Sequence, residues 1–139
     1  EEFIESNFIL TKRILDIAFK VKPQLRFINI SSMSFLANQD DYLTPGLMNH
    51  YAFSKFISEQ FCIRHPFKDL TNVRFSTIFY GNENRDGISK LVYDSIVKKE
   101  ITIYNEGEAK RDIIPIRIAS LYLYKLCNSE TMNRTTNIV

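Results

Sequence analysis

Apolar residues at Phe3, Ile4, Phe8, Ile14, Leu15, Ala18 and Val21 recur at close to helical spacing, with Lys and Arg between them, and Pro23 ends the run. The pattern predicts a helix over residues 3–21. Leu25–Ile30 (LRFINI) is short and mostly apolar, as a strand covered on both faces would be. Ser31-Ser32-Met33-Ser34 follows at its C-terminal end, and residues 38–49, with Asp40-Asp41, Pro45 and Gly46, read as a loop. His50–His65 sets Tyr51, Phe53, Phe56, Ile57, Phe61 and Ile63 among polar residues and is closed by Pro66, so a second helix is predicted there. Val73–Tyr80 reads as another buried strand, stopped by Gly81. Beyond it the expected order is a helix over Ile88–Lys99, a short strand over Ile101–Tyr104 and a turn at Asn105-Glu106-Gly107. An extended Ile113-Ile114, a helix over Ile118–Leu126 and a terminal strand over Thr135–Val139 complete the chain. Strands alternating with helices of this length indicate βαβ units and a mostly parallel sheet.

The chain has 139 residues, 45% of them hydrophobic and 24% charged, which suits one globular domain with a real core. A net charge of +2 is too balanced for an electrostatic nucleic-acid binder, and no apolar run approaches the ~20 residues of a membrane span. Glu1-Glu2-Phe3 does not open a signal peptide, so no membrane and a cytoplasmic setting are expected. Cys62 and Cys127 make neither a disulfide framework nor a metal cluster and read as core thiols; His50 and His65 read as a helix-end and a surface histidine. No metal site is expected. There are 4 glycines, none in a G-x-G-x-x-G spacing. With no initiator Met and a tail stopping inside its last strand, this predicts a single partial domain over residues 1–139, cut at both ends.

The candidate chemistry lies in Tyr51-Ala52-Phe53-Ser54-Lys55. On a helix, residues i and i+4 share a face, so a phenol and an ammonium meet about one turn apart. The positive charge favours phenolate and draws the tyrosine toward the range useful for proton transfer. Ser32, just past a strand's C-terminal end, stands where open α/β sheets bind ligands and could hydrogen-bond the same substrate oxygen. A lone Tyr-x3-Lys pair is a weak signal. Its context carries more.

A strand ending in Ser-Ser, a loop, Tyr-x3-Lys on a helix and a buried strand ending in Tyr80-Gly81 resemble, in that order, the short-chain dehydrogenase/reductase superfamily. The resemblance is to its extended branch, the nucleotide-sugar epimerases and dehydratases. Asn7, followed by a helix and then LRFINISS, looks like the family's Asn-led helix before its serine strand. Residues 101–112 (ITIYNEGEAKRD) are similar to its strand, glycine turn and Arg-Asp signature, and Asn137-Ile138-Val139 to its later Asn-bearing strand. The resemblance implies a Rossmann-like α/β fold lacking the N-terminal Gly-rich βαβ half, and a bound NAD or NADP. It implies Tyr51 as acid/base, Lys55 on the nicotinamide ribose, Ser32 positioning the sugar oxygen and Asn7 near the cofactor. Arg111 would clamp the diphosphate of a nucleotide-diphosphate sugar, a role that suits a planar fork. Anchored on Arg74, the family's pattern puts Ser76 by the nicotinamide and Thr77 by the sugar; anchored on Tyr80-Gly81, both shift by one. A homodimer through the helices at 3–21 and 50–65 is also implied.

The chain departs from the family at several points. Leu10 stands where Gly is usual, and Leu36-Ala37 replaces Tyr-Gly. After Arg111-Asp112 comes Ile113-Ile114-Pro115-Ile116 instead of an aromatic, Val and two acidic residues, which removes a helix N-cap. Met33-Ser34 replaces the acidic pair of dehydratases, so an epimerase or 4-keto reductase is expected over a dehydratase. The rival readings are a non-catalytic relative that binds a nucleotide or a protein, and a steroid or flavonoid reductase indifferent to Arg111.

Overall fold

The computed structural model describes residues 2–36, 49–81, 87–103, 105–107, 112–130 and 133–139. The first helix runs without a break through α1 (Glu2–Ile4), a π-helical segment (Glu5–Ile9) and α2 (Leu10–Val21), since Ile4, Ile9 and Leu10 all hold right-handed helical dihedrals. In the π segment the Leu10 N–H donates to Glu5 O, five residues back. Lys22 leaves helical dihedrals, and its N–H closes the last turn on Ala18 O. Leu25 belongs to the turn that follows, its N–H bonded to Lys22 O at 2.9 Å, so β1 spans Phe27–Ser32 and starts later than its apolar run suggests.

Seven further α-helices and strands follow among the described residues. They are α3 (His50–Arg64), β2 (Leu70–Phe75), β3 (Thr77–Phe79), α4 (Gly87–Tyr93), β4 (Ile113–Pro115), α5 (Ile116–Cys127) and β5 (Thr135–Ile138). The strand expected over residues 73–80 is two strands. At Ser76 the chain changes partners: the Ser76 N–H bonds Ile138 O in β5, whereas the Thr77 N–H bonds Asp112 O beside β4, each at 3.2 Å. β1, β2 and β5 form one parallel sheet with β2 in the middle; β3 and β4 form a second parallel pair. Residues 101–103 are not a strand, and Tyr104 lies outside the described residues. α4 continues as a π segment over Asp94–Lys98 and stops where Lys99 turns left-handed, at φ 57°. The loop expected over residues 38–49 lies outside the described set except for Asn49, and Arg111 and its neighbours 108–110 also lie outside it.

Strand alternation gives the main sheet two faces, each with its own core. Leu15, Cys62, Phe67 and Leu70 pack beneath α2 and α3, and Val73, Phe75, Ile114 and Ala119 pack beneath α5. The sheet is therefore helix-covered on both sides, the doubly wound α/β arrangement that alternating strands and helices predict. Between α3 and the sheet runs a polar seam in which the Asn29 amide donates to Asn72 Oδ1 at 2.8 Å; on the other face of β2 the Thr71 hydroxyl donates to Asn133 O at 2.7 Å. All three side chains are buried, so each bond satisfies a group that could not stay dry alone.

Arg26 ties the start of β1 to the end of α5. Its Nε donates to Asp69 Oδ2 at 2.9 Å, and Nη1 reaches the carbonyls of Leu126, Cys127 and Ser129 at 3.0, 3.0 and 2.6 Å. A helix C-terminus leaves such carbonyls without intrahelical partners and with partial negative charge. Arg26→Met should therefore lower stability by about 2 kcal/mol. Hydrogen exchange should quicken most at the amides of the last turn of α5; equal protection there in both proteins would show that Arg26 does not cap the helix.

Candidate active site

α3 opens cleanly because Asn49, in extended dihedrals, accepts the Ala52 N–H on its side-chain oxygen at 2.8 Å. The cap sets Tyr51 in the first turn and Lys55 in the next. The Lys55 ammonium donates to the carbonyl of Ile30 at 3.0 Å. That carbonyl faces away from β2, because the odd-numbered Phe27 and Met33 are the residues whose N–H groups bond toward it. Lys55 thus lies along the side of β1 away from β2, half-buried, and burial holds its ammonium below the usual lysine range. The Tyr51 ring centroid is 6.0 Å from Lys55 Nζ, the Phe3 ring meets it edge-on at 5.7 Å, and the side chain remains 38% exposed. A phenol with one face toward a cation and an open side toward solvent can exchange a proton with a bound molecule.

Ser32 ends β1 and is 9% exposed. Its hydroxyl donates to Ser34 Oγ at 2.9 Å and accepts the Ser34 N–H at 3.1 Å. Its register partner is Phe75, the last residue of β2. Ser76, one step on, has a buried hydroxyl that finds no hydrogen-bond partner among the described residues. Thr77 opens β3, half-buried. Ser32 and Ser76 therefore share the C-terminal edge of the parallel sheet. Asn7 sits in the π segment and donates its amide to Ser54 Oγ at 3.0 Å, while Ser54 in turn donates to Tyr51 O at 2.7 Å. The three helical residues Asn7, Tyr51 and Lys55 are so joined through Ser54 and α3. Arg111 lies outside the described residues. At the start of α5 the N-cap is Pro115, with no side-chain cap, as the lost acidic pair predicts.

Sequence reasoning missed Glu59. It is fully buried, and its carboxylate accepts the Ser31 hydroxyl at 2.6 Å and Arg74 Nε at 3.0 Å on each oxygen, with Arg74 Nη2 closing the fork. The signal was there to read: Glu59 is the single acidic residue in α3 and Arg74 the single charge in β2. Two other readings need correction. His65 is buried instead of on the surface: Phe19, Phe61 and Phe67 surround it, Nδ1 accepts the Phe67 N–H at 3.3 Å, and Nε2 faces Asp16 at 3.4 Å. The loop to Pro66 folds the ring back under α2. Cys127 is exposed because it ends α5, whereas Cys62 is a core thiol whose pKa burial, with the nearby Glu59 charge, pushes up to about 12. Among the described residues no three His, Cys, Asp or Glu side chains could hold a metal ion.

The sequence matches the NAD dependent epimerase/dehydratase family over residues 1–137, and the chain belongs to that family. No curated protein sequence matches it. Among solved structures it is similar to dTDP-glucose 4,6-dehydratase from Bacillus anthracis in complex with NAD, with a TM-score of 0.81 and 16% identity. That likeness covers 99% of this chain and 47% of that one. Helicobacter pylori ADP-L-glycero-D-manno-heptose-6-epimerase gives a TM-score of 0.75 at 21% identity, covering 95% of this chain and 45% of that one. A Y149F mutant of UDP-glucuronic acid 4-epimerase from Bacillus cereus, bound to a fluorinated UDP sugar and NAD, gives 0.75 at 17%, with 95% and 45% covered. At these identities the likeness is one of fold, the Rossmann-like α/β fold expected, and the chain spans less than half the length of each structure.

The half-buried Lys55 ammonium is held against its solvation preference. Because its folded value lies below 10.5, the unfolded chain binds the extra proton between the two values, and stability rises with pH across that window. Lys55→Met should flatten the rise and melt at the same temperature as the parent or higher at pH 7. A clear drop in melting temperature would mean that the bond to Ile30 O outweighs the desolvation.

Proposed function

We propose that this chain is the part of an NAD(P)-dependent nucleotide-sugar epimerase or 4-keto reductase that carries its proton-transfer group. The observation that supports this most is the Tyr51 ring facing Lys55, whose ammonium bonds the Ile30 carbonyl two residues before the buried Ser32 that ends β1. The residues present suit a dinucleotide. Ser76 offers a buried hydroxyl without a partner among the described residues, as a nicotinamide carboxamide would require, and Lys55 offers a cation with mobile donors for a ribose diol.

A bound nicotinamide supplies reversible acceptance of a hydride from a sugar carbon. Tyr51 takes the proton of the hydroxyl on that carbon as it becomes a ketone and returns it when the ketone is reduced. Tyr51 is the phenolate before it takes that proton and again after it returns it, and the Lys55 ammonium stands beside the ring to face that charge. Ser32 accepts a hydrogen bond from the sugar hydroxyl and, by turning its own proton away from Ser34, donates to the ketone. Asn7, through Ser54, keeps the helix carrying Tyr51 in place, near the cofactor. Thr77 contacts the sugar, and Arg111 pairs with the diphosphate. Met33-Ser34 beside Ser32 offers no carboxylate to remove a carbon-bound proton, which favours epimerisation or reduction over dehydration.

The test is Tyr51→Phe in the full-length polypeptide, assayed with nucleotide sugars and NAD or NADP. Turnover should fall by at least about 10²-fold, the lower end of what a positioned acid/base contributes. Turnover unchanged would dismiss the catalytic reading and leave a non-catalytic relative that binds a nucleotide or a protein. Activity on a substrate without any nucleotide, indifferent to Arg111→Ala, would move the chain to the steroid and flavonoid reductases.

The proposed homodimer rests on α2. Leu10, Ile14, Ile17 and Val21 form an exposed stripe at helical spacing, on the face opposite the buried Leu15, and the exposed Ile63 of α3 adds an apolar residue from the second helix. An apolar stripe of this length is what an isologous two-helix interface buries. Ile14→Glu with Ile17→Glu should halve the sedimentation mass of the full-length protein; an identical mass in parent and variant would place any interface elsewhere. Among the described residues no helix is long and apolar enough to cross a membrane.

A further inference from the structure

Glu59 has no part in the chemistry above, yet its carboxylate is the most deeply buried charge at the site. Each of its partners is a short step from a residue of the proposed catalytic group. Ser31 immediately precedes Ser32; Arg74 precedes Ser76 by two residues and Thr77 by three; on α3, Glu59 follows Lys55 by one turn and Tyr51 by two. Arg74 spreads the connection further. Its Nη1 reaches Asn137 Oδ1 of β5 at 3.5 Å, and its guanidinium lies 5.3 Å from the ring of Phe35, which follows Ser34. Phe35 in turn meets Phe56 of α3 edge-on at 5.7 Å.

An apolar pair of the same volume would often hold three elements together as well as a buried ion pair does, without desolvating two charges. What the pair adds is direction. A carboxylate fork gripping a guanidinium and a hydroxyl has one geometry, whereas apolar side chains slide. We propose that Glu59 is a positioning residue: its grip on Arg74 and Ser31 sets how far α3 is advanced along β1 and β2, and with it the separation of Tyr51 and Lys55 from Ser32. This rests on the proposed function for its consequence in catalysis, though its geometric part can be measured without any substrate. Proton transfer tolerates little slippage, since a misplacement of about 1 Å can reduce a rate 10²-fold.

The variants are Glu59→Asp, which keeps the charge but shortens the reach by one methylene, and Glu59→Gln, which keeps the length and loses the charge. Both are made in the full-length polypeptide. Lys55 is followed by NMR titration of its side-chain ammonium, and turnover by steady-state kinetics on protein that melts cooperatively. In Glu59→Asp the Lys55 titration should move back toward 10.5, because its depression needs α3 seated over β1. The kcat should fall at least ten-fold while KM for the nucleotide sugar stays within two-fold; Glu59→Gln should fall less. A Lys55 titration and a kcat both like those of the parent in folded Glu59→Asp would overturn the positioning role. So would a kcat loss no larger than the loss of folded protein. Arg74→Lys, which keeps the charge and gives up the fork, makes the same measurement from the other partner if Glu59→Asp does not fold. If Tyr51→Phe turns over normally while Lys55 still shifts in Glu59→Asp, the catalytic reading fails and the positioning role stands.

Discussion

The ion pair of Glu59 and Arg74 is the constraint around which the site half of the molecule is arranged. A carboxylate taken out of water must find opposite charge and hydrogen bonds or lose its proton. Here it finds a guanidinium from the central strand and a hydroxyl from the neighbouring strand, both on the face that α3 covers. Satisfying one side chain therefore dictates which strands lie under the helix, and in which register Ser31 and Arg74 stand side by side. The Asn29–Asn72 pair, one rung down the same two strands, repeats the arrangement without charge. The apolar clusters on either side of the sheet supply cohesion, while this polar seam supplies orientation.

Much of the fold could be read from the chain because its helices and buried strands differ in period and length. The helices over residues 3–21, 50–65 and 118–126 are where their apolar spacing put them, with ends shifted by a residue or two. The failures have a common cause. Leu25, Ser76 and Ile101–Ile103 all have the composition of strand residues, but strand identity depends on a partner that lies far away in sequence. Leu25 is drawn into a turn, Ser76 is the point where the chain trades β5 for β4, and residues 101–103 remain unpaired in the described structure. Composition cannot report such exchanges. The two π segments were likewise invisible, since a π turn keeps helical side-chain chemistry and differs only in which carbonyl each N–H selects.

Tyr51, Lys55 and Ser32 could be singled out as candidates because they carry unusual chemistry at a recognisable spacing, and in the structure Lys55 bonds the Ile30 carbonyl two residues before Ser32 ends β1. Glu59 and His65 could not, because a carboxylate and an imidazole look solvent-directed until their partners are known. Arg74 satisfies one from a different strand, and three phenylalanines from separate segments enclose the other. Family membership, which the match over residues 1–137 establishes, accounts for the order of these pieces. It does not by itself say what the residues do, and the similar structures are about twice as long.

The order of strands also has a consequence for how the protein is made. β2 lies between β1 and β5, and the pairing of Asn72 with the segment at Arg134 spans 62 residues. On a ribosome adding about 5–20 residues per second, β2 would present an open edge for about 3–12 s before its second neighbour exists. During that interval Arg74 already has Glu59, which emerged earlier, so the central strand is anchored on its helix before its sheet is finished. Arg26 waits longer for its own partners, since the carbonyls ending α5 lie 100–103 residues further along the chain. The contacts made last are those of β5, which pairs with the second half of β2 and, through Ile138, with Ser76.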